Sequence, residues 1–195
     1  MKNVNYQEEL IGDIKKVTKT CKFIHNICVE KFFQVPVSQT KWNSILQEPV
    51  IDWKIFYIIP FKCSLSTKLR YFQFKILHNV LGVNKYLKTV GISNSDLCTF
   101  CAIDTESISH LFWECPSTQR FLLDFQRHTL NNKFILTHNN FIFGIPTGIH
   151  SSYNFVILYA KYYIFSARCK RSTLSLASFK KIIEILLWNW THYLL

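Results

Sequence analysis

The sequence predicts a mainly α-helical fold, a helical bundle with a small cysteine- and histidine-rich insertion between helices. The chain of 195 residues has only five Gly and five Pro, too few for a loop-rich all-β fold. Apolar residues instead recur at spacings of three and four, the period of an amphipathic helix. With 49% hydrophobic and 16% aromatic residues, the chain has enough apolar surface to bury a core.

The first predicted helix carries an apolar stripe that includes two of the seven cysteines. Steps of four and three connect its members, which places them on one helical face. The stripe consists of Leu10, Ile14, Val17, Cys21, Ile24 and Cys28. We expect both cysteines to be small core residues. A second metal site using His25 is the alternative, but His25 lies off the stripe.

Side chains suited to capping mark the next helices. Ser38 is predicted to cap a short helix containing Trp42, and Asp52 another that Pro60 stops. Ser66 is predicted to begin a longer helix that Gly82 ends. Its buried face would consist of Leu69, Phe72, Ile76 and Val80.

The second half of the chain is also predicted to be helical. The segment STQRFLLDFQRHTL reads as one helix, and two more are expected at about 153–171 and 174–193. Between them, KFILTHNNFIFGIPTG is either short strands or extended loop. The chain divides by this reading into an N-terminal helical region (1–94), a metal module with its following helix (95–130) and a C-terminal helical region (131–195).

The insertion has the ligand spacing of a zinc site. Cys98, Cys101, His110 and Cys115 follow the pattern C-x2-C-x8-H-x4-C. Two cysteines separated by two residues can direct both sulfurs into one turn, as tetrahedral Zn²⁺ requires. The alternatives are four buried residues without an ion, or a redox dithiol, although no βαβ pattern surrounds the pair.

The second pair of ligands needs a break in the helix. Thr105 is predicted to cap a helical turn, TESISHLFW, on which His110 and Cys115 would point about 140° apart. Pro116 removes this difficulty, because a residue before proline leaves the α region and the next helix can start at the proline. Cys115 can then turn back toward His110.

Four protein ligands leave no open position for water or substrate, so the predicted zinc is structural. Glu106 and Glu114 could be nominated as general bases beside the metal, but solvated helix positions explain them better. We therefore expect the metal to hold the fold.

The segment LCTFCAIDTESISHLFWECP resembles the zinc-binding module that follows the reverse transcriptase domain in LINE-type (non-LTR) retrotransposons. The module's pattern is roughly C-x-x-C, then Glu-[Ser/Thr]-Ile-x-His-Leu-Phe-x-x-Cys. The matching positions here are Glu106, Ser107, Ile108, His110, Leu111, Phe112 and Cys115. Flanking segments are similar too, so that the resemblance covers about residues 40–195. It implies the C-terminal region of a retrotransposon polyprotein, with the polymerase of the same element as a partner.

The chain itself is predicted to be non-catalytic. A polymerase palm needs paired aspartates for metal-assisted phosphoryl transfer, and the five aspartates here are scattered, with no Asp-Asp pair. No nucleophile–base pair or carboxylate cluster indicates a hydrolase.

The charge distribution favours RNA or DNA as a partner. The formal net charge is +11, and it is uneven: residues 52–94 carry +6, residues 96–128 carry −3 and residues 151–195 carry +5. The predicted nucleic-acid contacts are Lys68, Arg70, Lys75, Lys161, Arg168, Lys170 and Arg171. Candidates for stacking on single-stranded bases are Tyr71, Trp113, Tyr162 and Tyr163.

Two function classes remain open from sequence. One is a module that positions RNA or target DNA for a polymerase, and the other is a zinc-stapled structural or protein-interaction domain. No apolar run approaches the ~18 residues that span a bilayer, and the polar N-terminus lacks a signal peptide's apolar core. An intracellular location, nuclear or cytoplasmic, with reduced cysteines is expected.

Overall fold

A computed structural model of the chain describes residues 21–46, 52–130, 135–146 and 151–192. Over these ranges the chain is mostly helical and contains no β-strand, which confirms the predicted fold class. Two compact units, Met1–Pro36 and Val37–Leu195, are described separately below.

The N-terminal unit contains helix α1 (Cys21–Phe32). Leu10, Ile14 and Val17 of the predicted stripe lie outside the described residues. Farther along the stripe, Ile24 is 38% exposed and Cys28 is half-buried, so this part of the stripe is not a buried face.

The second unit contains the remaining helices and one π-helical turn. Its elements in chain order are α2 (Val37–Leu46), α3 (Trp53–Cys63), α4 (Thr67–Leu77), α5 (Asn84–Thr89), the π-turn (His110–Glu114), α6 (Pro116–His128), α7 (His138–Phe143), α8 (Ser151–Lys170) and α9 (Leu176–His192). Helices α3 and α4 pack on each other and on α8, whereas α9 packs on α6 and α8. The π-turn contacts α6 and α7.

An aromatic core joins these helices. The rings of Trp42 and Phe143 pack edge to face with their centroids 5.3 Å apart, and Phe179 packs against Phe121 and Phe125. Burying each such ring contributes roughly 1.5–3 kcal/mol. The core includes residues from all three predicted regions, so the metal module shares one hydrophobic core with the helices on either side.

Of the caps predicted for α2, α3 and α4, two are confirmed. The Asp52 side chain accepts a hydrogen bond from the Lys54 N–H (3.1 Å) at the start of α3, and Ser66 accepts one from the Leu69 N–H (3.4 Å) at the start of α4. The Ser38 prediction is wrong, because this residue lies within the first turn of α2 and is buried.

The predicted ends of α3 and α4 are also wrong. Pro60 lies inside α3, which continues to Cys63. Proline removes one N–H donor and crowds the carbonyl four residues earlier, but the buried position of Pro60 shows that core packing holds the helix together through this residue. Helix α4 ends at Leu77, because Asn79 adopts a left-handed conformation (φ 55°). Val80 is consequently 40% exposed instead of buried.

The ambiguous segment contains a short helix. Residues 131–134 and 147–150 lie outside the described residues, and α7 occupies His138–Phe143 between them. Gly144 ends α7 at φ 96°, where a Cβ would come within 2.9 Å of the Asn154 Oδ1. That oxygen accepts a hydrogen bond from the Ile145 N–H (2.7 Å), so glycine allows a close contact between this turn and α8. Within the described ranges, no helix is both long and apolar enough to cross a bilayer.

Candidate metal centre

A tight turn presents the first two cysteines. The Cys98 N–H bonds to the Asp104 carbonyl (2.8 Å) and the Ala102 N–H to the Cys98 carbonyl (2.8 Å). A single antiparallel bridge between Leu97 and Thr105 closes the turn. Ala102 takes a positive φ of 56°, which brings the chain back after only four residues. Both sulfurs therefore come from one short loop.

The π-helical turn His110–Glu114 presents the other two ligands. The Cys115 N–H bonds to the His110 carbonyl (2.8 Å), an i→i+5 bond that an α-helix does not make. Cys115 itself is extended (φ −61°, ψ 128°), and Pro116 is the first residue of α6. The predicted role of Pro116 is confirmed.

The predicted cap of this element is wrong. Thr105 takes part in the bridge, and the Ser107 hydroxyl accepts the bond from the His110 N–H (2.9 Å). The π-turn itself could not be read from the sequence, although the five-residue spacing of His110 and Cys115 matches its period.

The four ligand atoms have the spacing of a tetrahedral zinc site. All lie within 4.8 Å of one another. The sulfurs of Cys98 and Cys115 are 3.8 Å apart, and the Cys101 sulfur is 3.4 Å from His110 Nε2. Zn–S and Zn–N bonds of ~2.3 and ~2.0 Å at a tetrahedral angle predict separations of about 3.8 and 3.5 Å. The residues present therefore fit a zinc ion, which when bound would cross-link the turn, the π-turn and the start of α6.

The thiol groups of Cys98 and Cys115 differ in their acidity. A hydrogen bond from the Cys98 thiol lowers the pKa of Cys115 to about 5, helped by the backbone N–H groups of Thr118 and Ser117 and by the charge of His110, against the opposing effect of burial. The shared proton, together with burial, raises the pKa of Cys98. A thiolate at Cys115 is favoured because it lies at the positive N-terminus of α6.

Glu106 connects the zinc turn to two helices. Its carboxylate is fully buried and accepts hydrogen bonds from the Thr99 N–H (2.8 Å) in the turn and from the Asn84 N–H (2.9 Å) at the start of α5. Arg168 of α8 pairs with the same carboxylate at 2.8 Å and also bonds to the Asn84 side chain. The prediction that Glu106 is a solvated helix residue is wrong, whereas Glu114 is exposed as predicted.

Sequence reasoning missed the contacts of Glu106 with Thr99, Asn84 and Arg168. Metal sites are commonly oriented by hydrogen bonds beyond the ligands themselves. The sequence contains one indication of this role: Glu106 matches the pattern of the retrotransposon zinc module, although it is not one of the four predicted ligands.

The predicted nucleic-acid contacts fall into different environments. Lys161 cannot contact phosphate, because it is 1% exposed and its ammonium donates to the Gln73 Oε1 (2.6 Å) and the Ile142 carbonyl (2.8 Å). Arg168 is committed to Glu106. Lys170 and Arg171 are exposed at the end of α8.

The outer surface of α4 combines cations and aromatic rings. Lys75 Nζ lies 4.5 Å from the centroid of the Tyr71 ring, and Tyr71, 59% exposed, stacks beside Phe74. Lys68 is exposed and lies 5.2 Å from the ring of Tyr162. Positions 68, 71, 75 and 78 share one helical face. We call Lys68, Tyr71, Phe74, Lys75 and His78 the α4 face.

The other predicted residues are more enclosed. Arg70 is half-buried and donates to the Ser64 carbonyl (2.7 Å). The hydroxyl of Tyr163 bonds to the backbone of Ser175, and Trp113 is half-buried and stacks on His138. Among the predicted stacking residues, Tyr71 is the most accessible.

Comparison with known proteins gives one relationship. Residues 37–121 match the model of a family described as zinc-binding in reverse transcriptase. The match contains all four candidate ligands and supports a reverse-transcriptase-associated zinc-binding region; the matched family is an accessory to the polymerase domain. No curated protein and no solved structure matches the chain.

Proposed function

We propose that the chain is a non-catalytic zinc module from the C-terminal region of a LINE-type retrotransposon polyprotein, and that it holds single-stranded RNA or DNA on the α4 face. The matched family supports the origin. The metal would set the position of the turn, α5 and α6, and the polymerase of the same element would carry out the chemistry.

The α4 face is the observation that carries nucleic-acid binding. Two lysines seven residues apart flank an exposed tyrosine, and no acidic residue lies in α4. Lysines can meet successive phosphates, while Tyr71 and Phe74 offer rings on which unpaired bases stack. Stacking is sequence-tolerant, so weak sequence preference is expected.

Salt dependence tests the proposal. Binding of a labelled 12-nucleotide RNA and of the corresponding DNA would be measured at several salt concentrations. Lys68→Gln/Lys75→Gln should lower the slope of log affinity against log salt by about 1.4, at roughly 0.7 per phosphate contact. Lys180→Gln/Lys181→Gln on α9 removes the same charge elsewhere and is the matched control. Equal slopes in the two variants would contradict a specific role for the α4 face.

A second candidate function, protein interaction, rests on an apolar surface of α3. Ile58, Phe61 and Leu65 are exposed, and the first two lie on one helical face. Such a patch is typical of a contact with another protein, here the polymerase domain. Salt-independent binding to the purified polymerase, lost in Phe61→Ser, would favour this function.

A further inference from the structure

A cleft of about 350 Å³ lies between α2, the segment after α4, α5 and residues 107–109. Its apolar walls include Val37, Ile45 and Val80, and Tyr86 contributes an aromatic ring. The volume is at the lower end of the ~300–1,000 Å³ typical of ligand pockets, which suits one nucleotide and not an oligomer.

The polar groups of the cleft favour an anion. Lys41 and Lys85 line it, and none of the described lining residues is acidic. The first turn of α2, a helix of ten residues, also borders the cleft and has no acidic residue. The helix N-terminus adds positive potential to that of the two lysines.

Ser38 is an independent sign of a missing partner. This residue borders the cleft and is only 7% exposed, and its hydroxyl, which is closed to solvent, has no hydrogen-bond partner among the described residues. In the structure this hydroxyl does not face the cleft, so it would bond to a ligand there only after a change of rotamer.

We propose that the cleft binds a single nucleoside phosphate. Lys41, Lys85 and the start of α2 receive the phosphate, and the base lies against Tyr86 and the apolar walls. The ligand is either a free nucleotide or the terminal nucleotide of a strand. The α4 face ends at His78, which also lines the cleft, so a strand on that face would have its terminus near the cleft.

Titration of the full, zinc-loaded chain tests the proposal. AMP, UMP, adenosine and inorganic phosphate would each be titrated by calorimetry and by amide chemical shifts. AMP or UMP should bind at least about tenfold more tightly than adenosine or phosphate alone, because only the nucleotide uses both halves of the cleft. Absence of nucleotide binding at millimolar concentration, or equal affinity for inorganic phosphate, would overturn the proposal.

Variants then locate the site. Lys41→Gln/Lys85→Gln should weaken nucleotide binding by about tenfold or more, and Ser38→Ala by a smaller factor. Lys180→Gln/Lys181→Gln is the control, and unchanged zinc content shows that each variant is folded. Equal weakening in the control pair would refute the assignment.

Oligonucleotides with and without a terminal phosphate separate the two sources. Tighter binding of the phosphorylated strand, lost in Lys41→Gln/Lys85→Gln, assigns the cleft to a strand terminus; no difference assigns it to a free nucleotide. Lys68→Gln/Lys75→Gln should retain mononucleotide binding whatever becomes of oligonucleotide binding. The proposal that the cleft binds a nucleotide can thus be refuted separately from the proposal that the α4 face binds a strand.

Discussion

Lys161 is a buried cation with no carboxylate partner among the described residues. Burial lowers its pKa to about 7, and only the nearby Cys63 thiol group opposes that effect. A neutral amine has two N–H groups, which match the two acceptors that Gln73 and Ile142 supply. The lysine therefore fixes α8 to α4 and to the end of α7.

This burial makes stability depend on pH. The unfolded chain keeps Lys161 protonated up to about 10.5, so between about pH 7 and that value it binds more protons than the folded chain. Stability should therefore rise with pH above 7, by at most about 1.4 kcal/mol per pH unit. Burial raises the pKa of Cys63, so above about pH 9 the folded chain keeps a proton that the unfolded chain loses, and this offsets the rise due to Lys161.

Urea unfolding between pH 7 and 9 at saturating zinc would measure this effect. Lys161→Met should abolish most of the rise, and Lys181→Met, at an exposed position of α9, is the surface control. The same slope in wild type and Lys161→Met would contradict the assignment. From sequence, Lys161 is predicted to be a surface lysine. The apolar and aromatic residues around it in α8 are the feature that indicates a buried position.

Glu106 supplies the buried negative charge that pairs with Arg168. Replacing it with Gln keeps its size but leaves Arg168 without a counter-charge, and a buried pair broken on one side typically costs about 3 kcal/mol. We expect Glu106→Gln to lose roughly this much unfolding free energy with zinc present. Glu114→Gln, on the exposed side of the same segment, should change stability by less than about 0.5 kcal/mol.

A double-mutant cycle gives the decisive comparison. Glu106→Gln/Arg168→Met should cost less than the two single changes together, since the second change removes the stranded charge. Additive losses would show that the two side chains act independently.

At the scale of elements, the sequence predicts those features that depend on local chemistry. Caps at Asp52 and Ser66, and a helix starting at Pro116, follow from side chains and φ restrictions close in the chain. The π-turn and the continuation of α3 through Pro60 depend on tertiary packing and on the ligand geometry. No local pattern encodes those, and they were missed.

Bound zinc should stabilise residues 95–130 more than it stabilises α4. Cys98→Ser/Cys101→Ser should abolish the one zinc per chain, whereas Cys63→Ser/Cys169→Ser should retain it.

Removing zinc with a chelator should speed hydrogen exchange most in residues 95–130, because the ion contributes folding free energy to the elements that it links. Helix α4 should stay protected longer, since it supplies none of the four ligands and Leu69, Phe72 and Ile76 bury its inner face. Uniform exchange across both regions, or full zinc content in the first variant, would contradict these expectations.

At the scale of the molecule, the acidic metal module and the basic segments occupy different parts of the sequence, and the fold joins them through an ion pair. Residues 96–128 carry a net charge of −3, whereas residues 52–94 carry +6. The acidic module is attached to the basic helices through the Glu106–Arg168 pair, which consumes one predicted phosphate contact. The exposed residues among the other predicted contacts, Lys68, Lys170 and Arg171, lie on α4 and at the end of α8, so phosphates should meet surfaces away from the ligands.

This separation predicts that zinc removal and charge removal affect binding differently. Chelated protein should bind a single-stranded oligonucleotide more weakly, by about the factor of three that loss of ~0.7 kcal/mol produces, because the helices are less firmly positioned. Its slope of log affinity against log salt should stay the same, since Lys68 and Lys75 still reach the phosphates. Lys68→Gln/Lys75→Gln with zinc bound should do the opposite and flatten the slope by about 1.4. Measuring both proteins over one salt series, with wild type and Lys180→Gln/Lys181→Gln beside them, separates the two effects. A slope that flattens on chelation as much as in the lysine variant would place the phosphate contacts on the zinc module itself.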